Sequence, residues 1–233
     1  MNTDNIQNKS IRSLVTLSLL MVFPVVVFSK SIPMVYNKNL HLHKVVAETA
    51  VHDGRTALRV TESVAFKDNS PDKLVVLRDL EFKNGTIEVD VAGRPITGAN
   101  VGVRGFIGVA FHVNDDVTEY ECIYLRPTNG RADDQVRRNH SSQYVSFPEY
   151  PWRTLRESSP GKYEAYVDLV PAEWTQVRIE VSGTTARLFV HGAEQPTLIV
   201  NDLKLGEISG AIALRIGPGT EGWFSNLRVS LDK

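Results

Sequence analysis

From Lys44 to the C-terminus the chain breaks into short runs in which apolar and polar residues alternate, and turn-forming residues separate each run from the next. A period of two places every second side chain on one face, the pattern of a strand buried on one side. KVVAETAV (44–51) and TALRVTE (56–62) flank a turn containing Asp53-Gly54, a pair that favours a two-residue hairpin. KLVVLRDLEF (73–82), TIEVDV (86–91), GFIGVAFHV (105–113) and TEYECIYLR (118–126) continue the series. KYEAYVDLV, EWTQVRIEV, ARLFV, TLIV, GAIALRI and WFSNLRVSL complete it. After residue 30 no run sustains a helical period with caps. About a dozen strands with short turns predict an all-β sandwich or barrel. No Gly-, Ser- or Pro-rich linker divides the region, so residues 30–233 read as one domain.

The first 29 residues follow a different logic. Lys9 and Arg12 precede an apolar run from Leu14 to Phe28, and Val27 and Ser29 suit the positions three and one before a cleavage site. This pattern predicts a signal peptide over residues 1–29 and a mature chain that is periplasmic or secreted. The run is short for a membrane span, which needs about 20 apolar residues. The alternative is that it is retained as an anchor. After cleavage no membrane partner is expected.

With 26 Lys+Arg against 27 Asp+Glu, the chain lacks the basic excess of a nucleic-acid binder. Its single cysteine, Cys122, excludes an internal disulfide and reads as a small buried hydrophobe. Asp115-Asp116 and Asp133-Asp134 could add oxygen ligands to a structural Ca²⁺, without EF-hand spacing. No other cofactor is expected, and the oligomeric state is not encoded in any recognisable motif.

Against this near-neutral background, segment 126–156 collects six arginines: Arg126, Arg131, Arg137, Arg138, Arg153 and Arg156. Tyr144, Phe147, Tyr150 and Trp152 lie among them. Guanidinium groups bind carboxylate or phosphate bidentately and stack on rings. The arginines either brace a long loop through Asp133, Asp134 and backbone carbonyls, or face a cleft that binds a glycan.

EWTQVRIEV through FSNLRVSL (173–231) resembles the closing half of a concanavalin A-like jelly roll of the laminin-G and lectin/glucanase type. Trp174 opens a strand, LFVHGAEQP carries a hairpin, Gly210 starts GAIALRI and FSNLRV closes the sheet. FKNGTIEVDV (82–91) is similar to the strand that begins the inner sheet of those families. Within the superfamily the resemblance is nearest to secreted bacterial proteins related to 3-keto-disaccharide hydrolase domains. It implies an oligosaccharide or polysaccharide ligand. The glucanases carry E-x-D-x-E on one strand, and the matching stretch here is Glu88-Val89-Asp90-Val91-Ala92, without the third acid. Retaining glycosidases need two carboxylates, so the omission counts against a glucanase mechanism.

Alternation extends that face. If Ile87, Val89 and Val91 are buried, Glu88 and Asp90 point outward, and His112, Tyr120, Tyr124 and Arg126 are expected beside them on one concave sheet. Gly108 and Ala110 would leave room for a ligand. Over this surface the 126–156 segment would supply His140 and Tyr144 as acid/base groups together with Glu88 and Asp90. Arg131, Arg137, Arg138, Gln143 and Trp152 would bind substrate. A keto-glycoside hydrolase, a non-catalytic binding module or lectin, and a uronic-acid polysaccharide lyase all suit this set.

Overall fold

The computed structural model describes residues 29–35, 37, 39–66, 70–71 and 73–232, so the expected leader lies outside the described residues except for Ser29. Two antiparallel sheets stack face to face. The first contains, in spatial order, β13 (Leu198–Val200), β12 (Thr185–Val190), β11 (Thr175–Ser182), β6 (Gly85–Pro95), β15 (Thr220–Leu231), β4 (Arg55–Glu62) and β3 (Val45–His52). β1 (Ser29–Ile32) pairs with the end of β15. The second sheet is β10 (Glu164–Ala165), β9 (Ser142–Phe147), β8 (Tyr120–Leu125), β7 (Ile107–Val113), β14 (Gly210–Ile216), β5 (Lys73–Phe82) and β2 (Leu40–His43). This is the all-β sandwich expected from the alternation, with the antiparallel jelly-roll arrangement that the resemblance implied.

Local chemistry explains the elements. β3 and β4 form a hairpin in which His52 pairs with Arg55, and Asp53 and Gly54 between them both have positive φ. Such a turn matches the right-handed twist of its strands. Asn84-Gly85 works differently, because it carries the chain from β5 in one sheet to β6 in the other. Gly85 has φ of 140°, and a Cβ there would lie 2.0 Å from the Ser230 carbonyl oxygen. Only glycine permits that approach.

The core lies between the sheets. Ile87, Val89 and Val91 of β6 meet Ile107, Val109 and Phe111 of β7, Ile123 and Leu125 of β8, and Ile212, Leu214 and Ile216 of β14. Alternate positions of the second sheet form another apolar cluster on its other face, including Ala110, Tyr120, Cys122, Tyr124, Val145 and Ala213. Burial pushes the Cys122 thiol up to about 12, which suits its expected inert role.

The segment expected as a long loop after Arg126 is ordered as two helical turns, α1 (Pro127–Gly130) and α2 (Gln135–Asn139), before the chain returns as β9. Asp134 caps α2 by accepting a hydrogen bond from the Arg137 backbone N–H at 3.0 Å. A third helix, α3 (Trp152–Ser158), follows β9.

Candidate functional site

A cavity of about 570 Å³ opens on the outer face of the second sheet. Tyr124 and Arg126 at the end of β8, Arg215 of β14, and Phe106 ahead of β7 contribute to its lining. Residues from the 100–104 loop, α1, α2, α3 and the 217–218 turn add to it. The Thr128 N–H donates to the Arg104 carbonyl at 3.2 Å, tying α1 to the 100–104 loop.

Strand register builds the floor. Gly108 of β7 pairs with Tyr124 on one side and Arg215 on the other. With no side chain between them, the Arg215 guanidinium reaches 4.6 Å from the Tyr124 ring centroid. The Arg126 guanidinium lies 5.1 Å from the same centroid. The space at Gly108, expected to admit a ligand, is therefore taken by the protein's own strand: a Cβ at 108 would lie 2.6 Å from Tyr124 Cβ.

Arg126 is braced rather than free. Its Nη1 donates to the His140 carbonyl at 2.9 Å and to Glu164 Oε1 at 3.3 Å, while Nη2 donates to the Tyr124 hydroxyl and to Gln143 Oε1, each at 3.0 Å. Glu164 also accepts from Arg156, whose Nε lies 3.0 Å from Oε2. His140 Nδ1 stands 2.9 Å from the same oxygen, off the line of a good hydrogen bond. Burial lowers the His140 pKa, the Glu164 charge opposes that, and Arg156 and Arg126 reinforce it. The Arg104 pKa is also lowered, first by burial and then by repulsion from Arg137 and Arg126.

Of the expected site residues, Tyr124, Arg126, Arg137, His140 and Trp152 line this cavity. Gln143 is fully buried behind Arg126, with its amide donating to the Tyr144 carbonyl at 2.8 Å. Tyr120 lies on the same outer face but beneath the surface, against Phe147. The others are elsewhere, and several expectations need correction.

Glu88 and Asp90 do not share a sheet with His112, Tyr120, Tyr124 and Arg126, because β6 belongs to the opposite sheet. Glu88 borders a small separate pocket with Gln176, Arg178 and Phe189, and Asp90 accepts from Arg55 at 3.1 Å and Asn226 at 2.6 Å. Tyr144 points into the core, where its hydroxyl donates to Glu121 Oε2 and accepts from the Lys204 N–H. His112 has φ of 55° at an irregularity in the β7–β14 pairing. This break turns its ring toward Phe82 and Phe111, with Nε2 2.9 Å from the Lys83 carbonyl. It also puts Val113 in the outer cluster rather than the core. Arg131 forms an exposed two-bonded pair with Asp168, and Arg138 engages the Tyr166 ring and hydroxyl; neither lines the cavity. Among the described residues, no three His, Cys, Asp or Glu side chains gather as a metal ion would require.

Sequence reasoning missed Arg104, Phe106, Asn129, Phe147, Arg156 and Arg215 as lining residues. Arg215 had a usable signal: it interrupts the small-residue face of GAIALRI after Ala211 and Ala213. Phe106 and Arg104 lie in a turn-rich stretch with no comparable pattern.

The two stacked antiparallel sheets form a jelly-roll sandwich, a fold shared with several solved structures. Solved structures with this fold include carbohydrate-binding module CBM66 from Bacillus subtilis, with TM-score 0.51 and 9% identity over 80% of this chain and 96% of that one. A Parabacteroides distasonis protein assigned as a glycosyl hydrolase gives TM-score 0.56 and 14% identity, covering 87% of this chain and 100% of that one. A β-1,3-1,4-glucanase (lichenase) derived from a mouse hindgut metagenome gives 0.51 and 13%, covering 87% and 98%. No family model matches the chain, and no curated protein sequence matches it.

Proposed function

We propose that this protein binds a glycan in the cavity on the outer face of the seven-stranded sheet, as a carbohydrate-binding module does. One observation carries the reading. Phe106, Tyr124, Phe147 and Trp152 wall a concave site that also presents guanidinium, imidazole and amide groups, whereas no described lining residue is Asp or Glu. Aromatic faces with a few convergent polar groups suit a sugar ring. Hydrolysis by a carboxylate pair requires acids flanking the scissile bond. Glu164, which pairs with the lining residues Arg126, Arg156 and His140, is occupied by them. Like CBM66, which is named a carbohydrate-binding module, the chain then works by binding alone.

The test is a glycan array followed by calorimetry on the full chain. We expect retention of at least one oligosaccharide class, and a roughly tenfold loss of affinity in Trp152→Ala at unchanged melting temperature. Failure to bind any oligosaccharide at millimolar concentration overturns the reading.

The His140 imidazole, beside Glu164 and resistant to protonation through burial, favours a second reading, in which His140 removes a proton from a bound uronic-acid residue during β-elimination. Unsaturated products absorbing in the ultraviolet, lost in His140→Ala, would support an enzyme. Their absence with every bound glycan supports the module. Export is part of the proposal, resting on the basic start and apolar run before Ser29. The mass of the mature protein tests it.

A further inference from the structure

The guanidinium groups around the cavity are not equivalent. Arg126 and Arg156 share the single counter-charge of Glu164. Arg215, only 5% exposed, has no carboxylate partner among the described residues, and its Nε and Nη1 meet no acceptor. Arg137 likewise has a buried Nε without an acceptor, and its Nη2 makes only a 3.4 Å contact with the Thr128 carbonyl. Arg104 donates to the Val101 carbonyl and forms no ion pair among the described residues. These three cations border the same cavity. An isolated buried charge is costly unless another charge compensates it. Donors without acceptors carry a further desolvation penalty. The repulsion that lowers the Arg104 pKa has the same origin: positive charge around this space exceeds the negative charge supplied by the described residues.

We infer that the cavity selects an acidic saccharide, with a uronosyl carboxylate or a sulfate ester held by Arg137 and Arg215 while Phe106 and Trp152 contact the sugar rings. This deepens the glycan reading and depends on it. Guanidinium supplies parallel N–H donors that match either oxyanion. Glu164 does not compete for Arg137 and Arg215, because Arg126 and Arg156 hold it at the α3–β10 side. The oxyanion thus meets no rival carboxylate from the described lining. Arg215 is itself fixed by its strand and by Tyr124, so it can receive the anion with little loss of side-chain freedom.

Calorimetry on the full chain tests this with oligomers of galacturonate, mannuronate and guluronate, their methyl esters, and sulfated and unsulfated forms of one neutral oligosaccharide. The expected result is that at least one acidic oligomer binds tenfold or more tightly than its uncharged counterpart. Arg137→Gln and Arg215→Gln should each reduce that ratio at least fivefold, and added salt should reduce it too. Arg138→Gln, outside the cavity, should leave it unchanged. Because Arg215→Gln could fail to fold, the partly exposed Arg137 provides the decisive variant. Preference for uronates identifies carboxylate, and preference for the sulfated form identifies sulfate. Equal binding of charged and uncharged forms overturns the inference but leaves the glycan reading intact. Binding of inorganic sulfate or acetate without any saccharide overturns both, as does no binding at all.

Discussion

The Tyr144 hydroxyl donates to Glu121 Oε2 at 2.5 Å inside the sandwich, with both side chains closed off from solvent. Glu121 Oε1 accepts from the Leu205 N–H at 2.7 Å, and the tyrosine oxygen accepts from the Lys204 N–H at 2.9 Å. A residue expected to move protons for a substrate instead fastens the chain ahead of β14 to the core. Tyr144→Phe removes one donor to a buried carboxyl group, so unfolding by denaturant should show a loss of about 1–3 kcal/mol. Glycan affinity should change less than twofold.

Glu164 serves three cationic or polarisable neighbours, so its charge matters more than its shape. Glu164→Gln keeps the volume but leaves Arg126 and Arg156 without their counter-charge. Breaking a buried pair by removing one partner typically costs about 3–5 kcal/mol. The partial exposure of Arg156 places the expected loss at the lower end, about 3 kcal/mol by equilibrium denaturation.

Glu88 and Asp90 offer the reverse case. They lie on the far sheet, so Glu88→Ala and Asp90→Ala should leave binding and any turnover unchanged. Asp90→Ala also removes the contact with half-exposed Arg55, worth about 0–1 kcal/mol. A large loss of activity in either variant would move the site to the opposite face.

Burial lowers the pKa of His112, and burial with nearby arginines lowers that of His140. A histidine whose folded form resists protonation contributes fully above its ordinary value of 6.5, and that contribution is lost as pH falls through the lower folded value. Glu121 acts oppositely: burial raises its pKa above 4.5, so its contribution is present below that value and is lost as pH rises through the folded value. Stability measured from pH 7 downward should therefore lose the histidine contribution. His112→Asn, which tolerates the positive φ at that position, should flatten the profile.

Gly108→Ala would bring a Cβ within 2.3 Å of the Ile123 carbonyl oxygen. The strands would have to move, with an expected loss of about 1–3 kcal/mol in thermal or chemical unfolding. Weaker binding should accompany it, because the same shift displaces Tyr124 from Arg215.

The alternation made the strands legible, and Asp53-Gly54 announced its hairpin because both residues accept the required backbone conformation. The arginine-rich segment also stood out against a neutral chain, and Arg126, Arg137 and His140 from it do line the cavity. Period two cannot say which of two stacked sheets a strand joins. The alternation therefore does not record that Asn84-Gly85 carries Glu88 and Asp90 to the opposite sheet. Nor does it reveal a break in register, which is why His112 was assigned to the wrong face. In β9 the polar pattern misleads, since Ser142 and Ser146 alternate in step with the inward-facing Tyr144 while Val145 faces outward. Arg215 was legible in principle, but its partner in the site comes from about ninety positions away.

The row Tyr124–Gly108–Arg215 runs across three hydrogen-bonded strands. Its geometry is therefore set when the sheet assembles, before any ligand arrives. Recognition at the floor should resemble a key entering a cut lock, with little entropy lost in ordering these groups and no slow rearrangement in the kinetics. Any adjustment to ligands of different size would fall to the rim, where Trp152 is 37% exposed. Diversification of this scaffold would accordingly change the rim readily and the glycine between tyrosine and arginine hardly at all.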